Sequence, residues 1–355
     1  MQHPRMTKAQ QPTLAEQLDR KAPDNWMLIR LLAATAVVLG HSIALAHKGQ
    51  SGAIDPIQKY LPGTYSGSLA VEAFFFISGF LITHAVLRDG SIMRYLGGRV
   101  LRVIPGYWVM LVLSTLACGL AASTSFSAYL LNADTLRYIW QNALLLNPEY
   151  HIPGVFADHK STAINGSLWS LFVEVQLYVF SGAALLLAVL QSRLAASVAG
   201  LALVVFAASR GGFQTPEAFN FTAIGMYGIG MLTRLHAHHV RAHRSLIFLA
   251  ALVLFVCRGT DFQLLSYDVA LVLFLIYFAY GAEVPKFKLS ADLSYGIFLY
   301  SYPIQQLLAH FAPQMNPYPM FVISWLLSAI CAAGSWWAVE KPALSLKARL
   351  FKKAE

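Results

Sequence analysis

The sequence predicts an all-α integral membrane protein: a bundle of about ten transmembrane helices with both termini in the cytoplasm. Three observations predict it. Of the 355 residues, 57% are hydrophobic and only 12% charged, about half the charged share of a soluble domain. The mean hydropathy is +0.55. Apolar runs close to the ~20 residues that cross ~30 Å of hydrocarbon recur along the whole chain. This composition excludes disorder and fits a soluble enzyme poorly. The net charge of +9 has the same origin, because Lys and Arg gather at the cytoplasmic ends of spans; it implies the lipid bilayer as a partner and no nucleic acid. Cys118, Cys257 and Cys331 all lie in apolar runs, so neither a disulfide framework nor a zinc spacing is present and no metal is expected.

Residues 1–25 are polar and rich in Gln, Pro and charge. They lack the apolar core and cleavage site of a signal peptide and read as a cytoplasmic tail, partly disordered. A transmembrane domain over 26–342 and a basic cytoplasmic tail over 343–355 follow. The apolar segments are 27–46, 68–87, 103–122, 167–190, 194–209, 219–234, 245–257, 264–282, 291–311 and 319–339, the fifth and seventh being short. Each is expected to be helical, since lipid offers no partner to an open strand. Two connections exceed tight turns: 47–67, with Gly, Pro and Tyr, and 123–166, whose stretch 133–146 predicts a short interfacial helix. Loops of this length are functional or lid-like, or else plain spacers. No internal repeat or inverted pair of broken helices, as in many secondary transporters, is visible.

The charges set the orientation. With the N-terminus inside, 19 Lys and Arg fall on the cytoplasmic side and 6 on the other, Lys48, Lys59, Arg137, Lys160, Arg210 and Arg258; Arg30 sits just inside the first span and is left out. The bias places both ends in the cytoplasm and supports an even number of spans.

Four ionisable groups stand out within spans, where such groups are costly and face protein or water-filled cavities. Arg30 and His41 lie on one face of the first span, separated by roughly 16 Å along the axis. Glu72 and Glu174 lie on the second and fourth spans, counted as one and two turns below the outer surface. His41, Glu72 and Glu174 are therefore expected at a similar depth. Each alone has a plain reading: a core imidazole, a snorkelling arginine or a protonated packing residue. A common depth would argue for a shared purpose. Arg99 and Arg102, three residues apart before the third span, read either as positive-inside anchors or as a phosphate clamp at a helix N-terminus.

At these residues the chain resembles acyltransferase family 3, multi-span membrane proteins that O-acylate cell-surface carbohydrates, over about 24–342. Arg30 and His41 match its Arg–His signature. Val71, Glu72, Phe74, Phe75, Ser78, Gly79 and Phe80 match a second segment, and Arg99, Arg102 and Pro105 a basic one. Ser167, Leu168, Trp169, Ser170, Leu171 and Glu174 match a fourth, and Ser294, Tyr295, Pro303 and Glu340–Lys341–Pro342 complete the order. Many members carry a His two residues before the proline; here that position is Ser301, which leaves His41 as the main candidate base.

The resemblance implies acyl-CoA, by preference acetyl-CoA, as co-substrate. It implies a hydroxyl of an extracytoplasmic glycan, polysaccharide or lipid-linked saccharide as acceptor, and a bacterial inner membrane as location. Arg30, Arg99 and Arg102 would hold the CoA head group. His41 would be the general base, with Glu72 or Glu174 orienting its ring. Trp169, Ser42, Ser78 and Tyr295 are substrate-binding or oxyanion candidates. The alternative is a multi-span permease or exporter in which Glu72 and Glu174 relay protons or substrate.

Overall fold

The computed structural model describes residues 11–46, 53–89, 91–145, 147–187 and 192–350. Arg5, Lys8, Lys48, Lys352 and Lys353, the ends of both expected tails and the end of the expected fourth segment lie outside them.

Helices occupy every apolar segment. The order is α1 (Leu14–Asp19), α2 (Trp26–Leu45), α3 (Pro56–Tyr60), α4 (Ser66–Asp89), α5 (Ile92–Cys118), α6 (Phe126–Leu131), α7 (Ala133–Ala143), α8 (Leu168–Leu186), α9 (Arg193–Ser209), α10 (Phe219–Leu235), α11 (Ser245–Val256), α12 (Gln263–Tyr280), α13 (Ser294–Phe311), α14 (Pro317–Ser335) and, after a π-helical turn at Trp336–Glu340, α15 (Lys341–Leu350). Among the described residues there is no strand beyond two isolated bridges. Among the described residues six helices are long and apolar enough to cross a membrane: α2, α4, α5, α8, α12 and α14 with its continuation. Helices α9 and α10, of 17 residues each, and α11, of 12, are shorter. Helix α13 is not among the six; it carries Ser294, Ser301, Gln305 and Gln306, all buried against protein.

Helix α4 is the centre of the bundle, packed between α2 and α10. Small residues make this possible. A Cβ on Gly79 would strike the Tyr227 carbonyl oxygen, and one on Gly230 the Phe76 carbonyl oxygen, so the α4 and α10 backbones touch. Helix α13 lies against α2, α14 and α5.

Three features depart from the sequence reading. Helix α5 begins at Ile92, not 103, capped by the Ser91 hydroxyl, so Arg99 and Arg102 lie two to three turns inside it and not at its N-terminus. Part of the expected tail is built into the fold: Thr13 and Glu16 form a capping box on α1, whose Leu14 is fully buried and donates its amide to Val240 O at 2.8 Å. The segment before α8 dips into the bundle, which has consequences for the site.

Candidate functional site

The segment 147–167 starts at the end of the bundle opposite Arg30 and descends along α13. Gln306 Nε2 donates to Ser161 O and Ala163 O at 2.7 and 2.6 Å, and the Tyr302 and Ser161 hydroxyls lie 2.9 Å apart. Asn165 Nδ2 reaches Leu299 O at 3.1 Å, while its Oδ1 accepts from Ser167 N and Oγ at 3.1 and 2.6 Å. Irregular backbone at this depth is tolerated because its polar groups are satisfied by protein. A Cβ on Gly166 would lie 2.7 Å from the Tyr302 ring, so any larger residue would have to push that ring aside. Helix α8 therefore begins inside the bundle.

This start point changes the depth of the carboxylates. Gly40 abuts the Gly67 backbone, so His41 is level with the first turn of α4. At 1.5 Å per residue Glu72 lies roughly 8 Å further in, and Ser78 roughly 16 Å. Ser78 Oγ donates to Glu174 Oε1 at 2.7 Å. His41, Glu72 and Glu174 thus occupy three levels, not one; counting turns from the surface failed because α8 does not start there.

His41 lies edge-on to the Tyr302 ring, with centroids 5.0 Å apart. Its Nδ1 is buried and has no hydrogen-bond partner among the described residues. Glu174 is held by Ser78 and by Tyr178 OH, at 2.5 Å. Glu72 accepts from Ser68 Oγ at 2.9 Å, while Glu72 Oε2 and Asp268 Oδ1, on α12, are buried without a hydrogen-bond partner among the described residues. The two acids line a small cavity of about 30 Å³, away from His41. Neither glutamate contacts the imidazole.

The arginines converge at the α2 N-terminal end. Asp292 Oδ2 takes Arg30 Nη1 at 2.9 Å and Arg102 Nη2 at 2.6 Å, and Arg102 Nη1 also reaches Glu340 Oε2 at 3.2 Å. Two guanidiniums thus face two carboxylates, the strong charge-assisted arrangement. The Arg102 guanidinium also lies 5.5 Å from the Tyr295 ring centroid, and Arg99 lies 5.9 Å from that of Tyr178. Above the cluster is a narrow cavity of about 50 Å³, walled by Arg30, Ser78, Glu174, Ser294 and Tyr295 and closed by Phe74 and Phe298. These two rings meet edge to face at 6.0 Å. With Val37 and Val71 they form an apolar layer one turn below His41.

Three of the four other candidates use their hydroxyl protons within the fold. Ser42 Oγ donates to Val38 O at 2.8 Å, Ser78 to Glu174, and Tyr295 OH to Val103 O at 2.9 Å. Trp169 packs edge-on against Phe219 at 4.9 Å. It lines an open groove of about 320 Å³ with Tyr150, Gln176 and Asn220. Among the described residues no group of three or more His, Cys, Asp or Glu is placed to hold a metal.

The acyltransferase 3 family model, an acyltransferase domain, matches residues 24–340. The chain belongs to the acyltransferase 3 family. It is 26% identical to Nodulation protein 10 of Rhizobium leguminosarum bv. viciae, over 92% of this chain and 95% of that protein. It is 27% identical to the O-acetyl transferase of Shigella phage Sf6, over 88% and 93%. No solved structure matches. The family assignment makes the chain a membrane acyltransferase.

Sequence reasoning missed Asp292 and Asp268. Asp268 stood inside the segment 264–282 and satisfied the criterion that selected Glu72. Asp292 stood at the edge of 291–311, where an acid next to Ser294 and Tyr295 was the available signal.

Proposed function

We propose that the protein is an O-acyltransferase that moves an acetyl group from acetyl-CoA on the cytoplasmic side to a hydroxyl of an extracytoplasmic glycan or lipid-linked saccharide. The observation that carries this reading is the position of His41: a buried, unpartnered Nδ1 at the far end of the helix whose other end supplies Arg30 to the Asp292–Arg102 cluster. The 19-to-6 distribution of Lys and Arg supports ten crossings with both termini cytoplasmic, in a bacterial inner membrane. The name of the phage relative supports acetyl as the group transferred.

The donor's phosphates bind at Arg99, which has no carboxylate partner among the described residues, and exchange with Asp292 on Arg30 and Arg102. The pantetheine arm then parts Phe74 and Phe298. His41 takes the acceptor hydroxyl's proton as oxygen attacks the thioester carbon; the C–S bond breaks and the CoA thiolate leaves with a proton. Trp169 and its groove receive the saccharide. Neither Glu72 nor Glu174 orients His41 directly; Glu174 helps shape the donor cavity. The test is purified protein with acetyl-CoA and membranes carrying the acceptor. CoA release that requires the acceptor and vanishes in His41→Ala is expected, and normal release by that variant rejects the base.

The two buried acids on one small cavity, Glu72 and Asp268, favour a second reading, a proton-coupled permease. Substrate uptake into vesicles without thioester turnover would select it.

A further inference from the structure

We propose that a groove between α3 and the α11–α12 corner holds the phosphodiester headgroup of an anionic phospholipid from the outer leaflet. The inference rests on the topology proposed above, with α11 as a crossing, and concerns a site separate from acyl transfer. The groove encloses about 430 Å³. Two cations from distant parts of the chain, Lys59 and Arg258, line it, and no carboxylate does. Neither has a carboxylate partner among the described residues. Cations are scarce at this end, where the sequence places 6 of its Lys and Arg, so two on one groove are not a sample of a generally basic face. Its floor is tied: Gln263 Nε2 and Tyr267 OH both donate to Pro62 O at 3.4 Å, fixing Lys59 and α3 against α12.

Helix length gives an independent reason for a headgroup here. Helix α11 has 12 residues, about 18 Å of rise against ~30 Å of hydrocarbon. A short apolar helix thins the bilayer beside it, so headgroups sink toward Arg258, two residues past its end. Phe255, 79% exposed, and Leu254 carry the groove wall down into the acyl-chain region. A phosphodiester satisfies the Arg fork and the Lys point charge together.

The test reconstitutes the full chain in nanodiscs of equal phosphatidylcholine and phosphatidylglycerol and counts retained lipids by native mass spectrometry. Preferential retention of phosphatidylglycerol is expected. The double variant Lys59→Gln, Arg258→Gln should lose that preference by about tenfold or more, while Arg137→Gln, at the same end, should keep it. If the double variant does not accumulate, Tyr60→Glu, at a position 75% exposed, should expel phosphatidylglycerol in the same way. No preference in the wild type, a preference that survives both groove variants, or displacement by an equal amount of long-chain isoprenyl phosphate overturns the proposal.

Discussion

Arg102 and Asp292 meet at 2.6 Å, with side chains only 15% and 12% exposed, and this contact ties α5 to the start of α13. Asp292 also holds Arg30, so one carboxylate secures three segments. Breaking a buried ion pair from one side leaves the remaining charge uncompensated, at a cost of about 3 kcal/mol or more. Asp292→Asn should therefore lower the melting temperature in detergent clearly, whereas Asp292→Glu should recover much of the loss. An unchanged melting temperature in the Asn variant would show that the arginines are solvated.

Glu72 is separated from His41 by roughly 8 Å of helix rise, accepts from Ser68 and shares a small cavity with Asp268. Glu72→Gln should reduce CoA release less than tenfold. His41→Ala should reduce it by at least the 10²–10⁴-fold typical of general-base removal, with both proteins accumulating in the membrane. An equal loss in the two variants would restore Glu72 to the reacting centre.

These two residues show how much the sequence could reveal. Apolar runs located a helix in each of the ten segments, and six of these among the described residues have the length that lipid requires of a span. The sequence also pointed to His41 and Arg30, since intramembrane charge stands out against an apolar background. What it could not give was relative depth. Glu174 was counted from a surface at which α8 does not begin; the dip of 147–167 depends on Asn165, Gln306 and Tyr302, residues from separate segments whose meeting leaves no local pattern. The pairing of Arg30 with Asp292 is likewise a long-range fact, invisible to spacing.

Gly79 and Gly230 let α4 and α10 approach backbone to backbone. Adding a methyl group to either position must separate the helices, because the obstacles are the carbonyl oxygens of Tyr227 and Phe76 rather than flexible side chains. Gly79→Ala and Gly230→Ala should each destabilise by about 1–3 kcal/mol, read as a lower melting temperature, while Gly334→Ala, where a Cβ would meet nothing within 4 Å, should not.

Asn165 joins Leu299 O to the start of α8 through bonds at both ends of its amide. Its removal strands the buried Leu299 carbonyl and the Ser167 amide just ahead of the helix, at about 1–3 kcal/mol per unsatisfied group. Asn165→Ala should lower the melting temperature and increase hydrogen exchange in 161–170 specifically. Exchange unchanged in that segment would mean that Gln306 and Tyr302 alone hold it down.

Phe74 and Phe298 close the cavity above the arginine cluster. At about 50 Å³ that space holds only a few waters, at roughly 10–15 Å³ each by the same measure, so a pantetheine arm enters only if the rings part. Phe298→Trp adds bulk where little is spare and should raise the barrier by about 1–3 kcal/mol, a roughly five- to 150-fold loss of acceptor-dependent CoA release. Phe298→Leu keeps an apolar plug that yields easily and should leave the rate near wild type. Equal rates in the Trp and wild-type proteins would place the donor's route elsewhere.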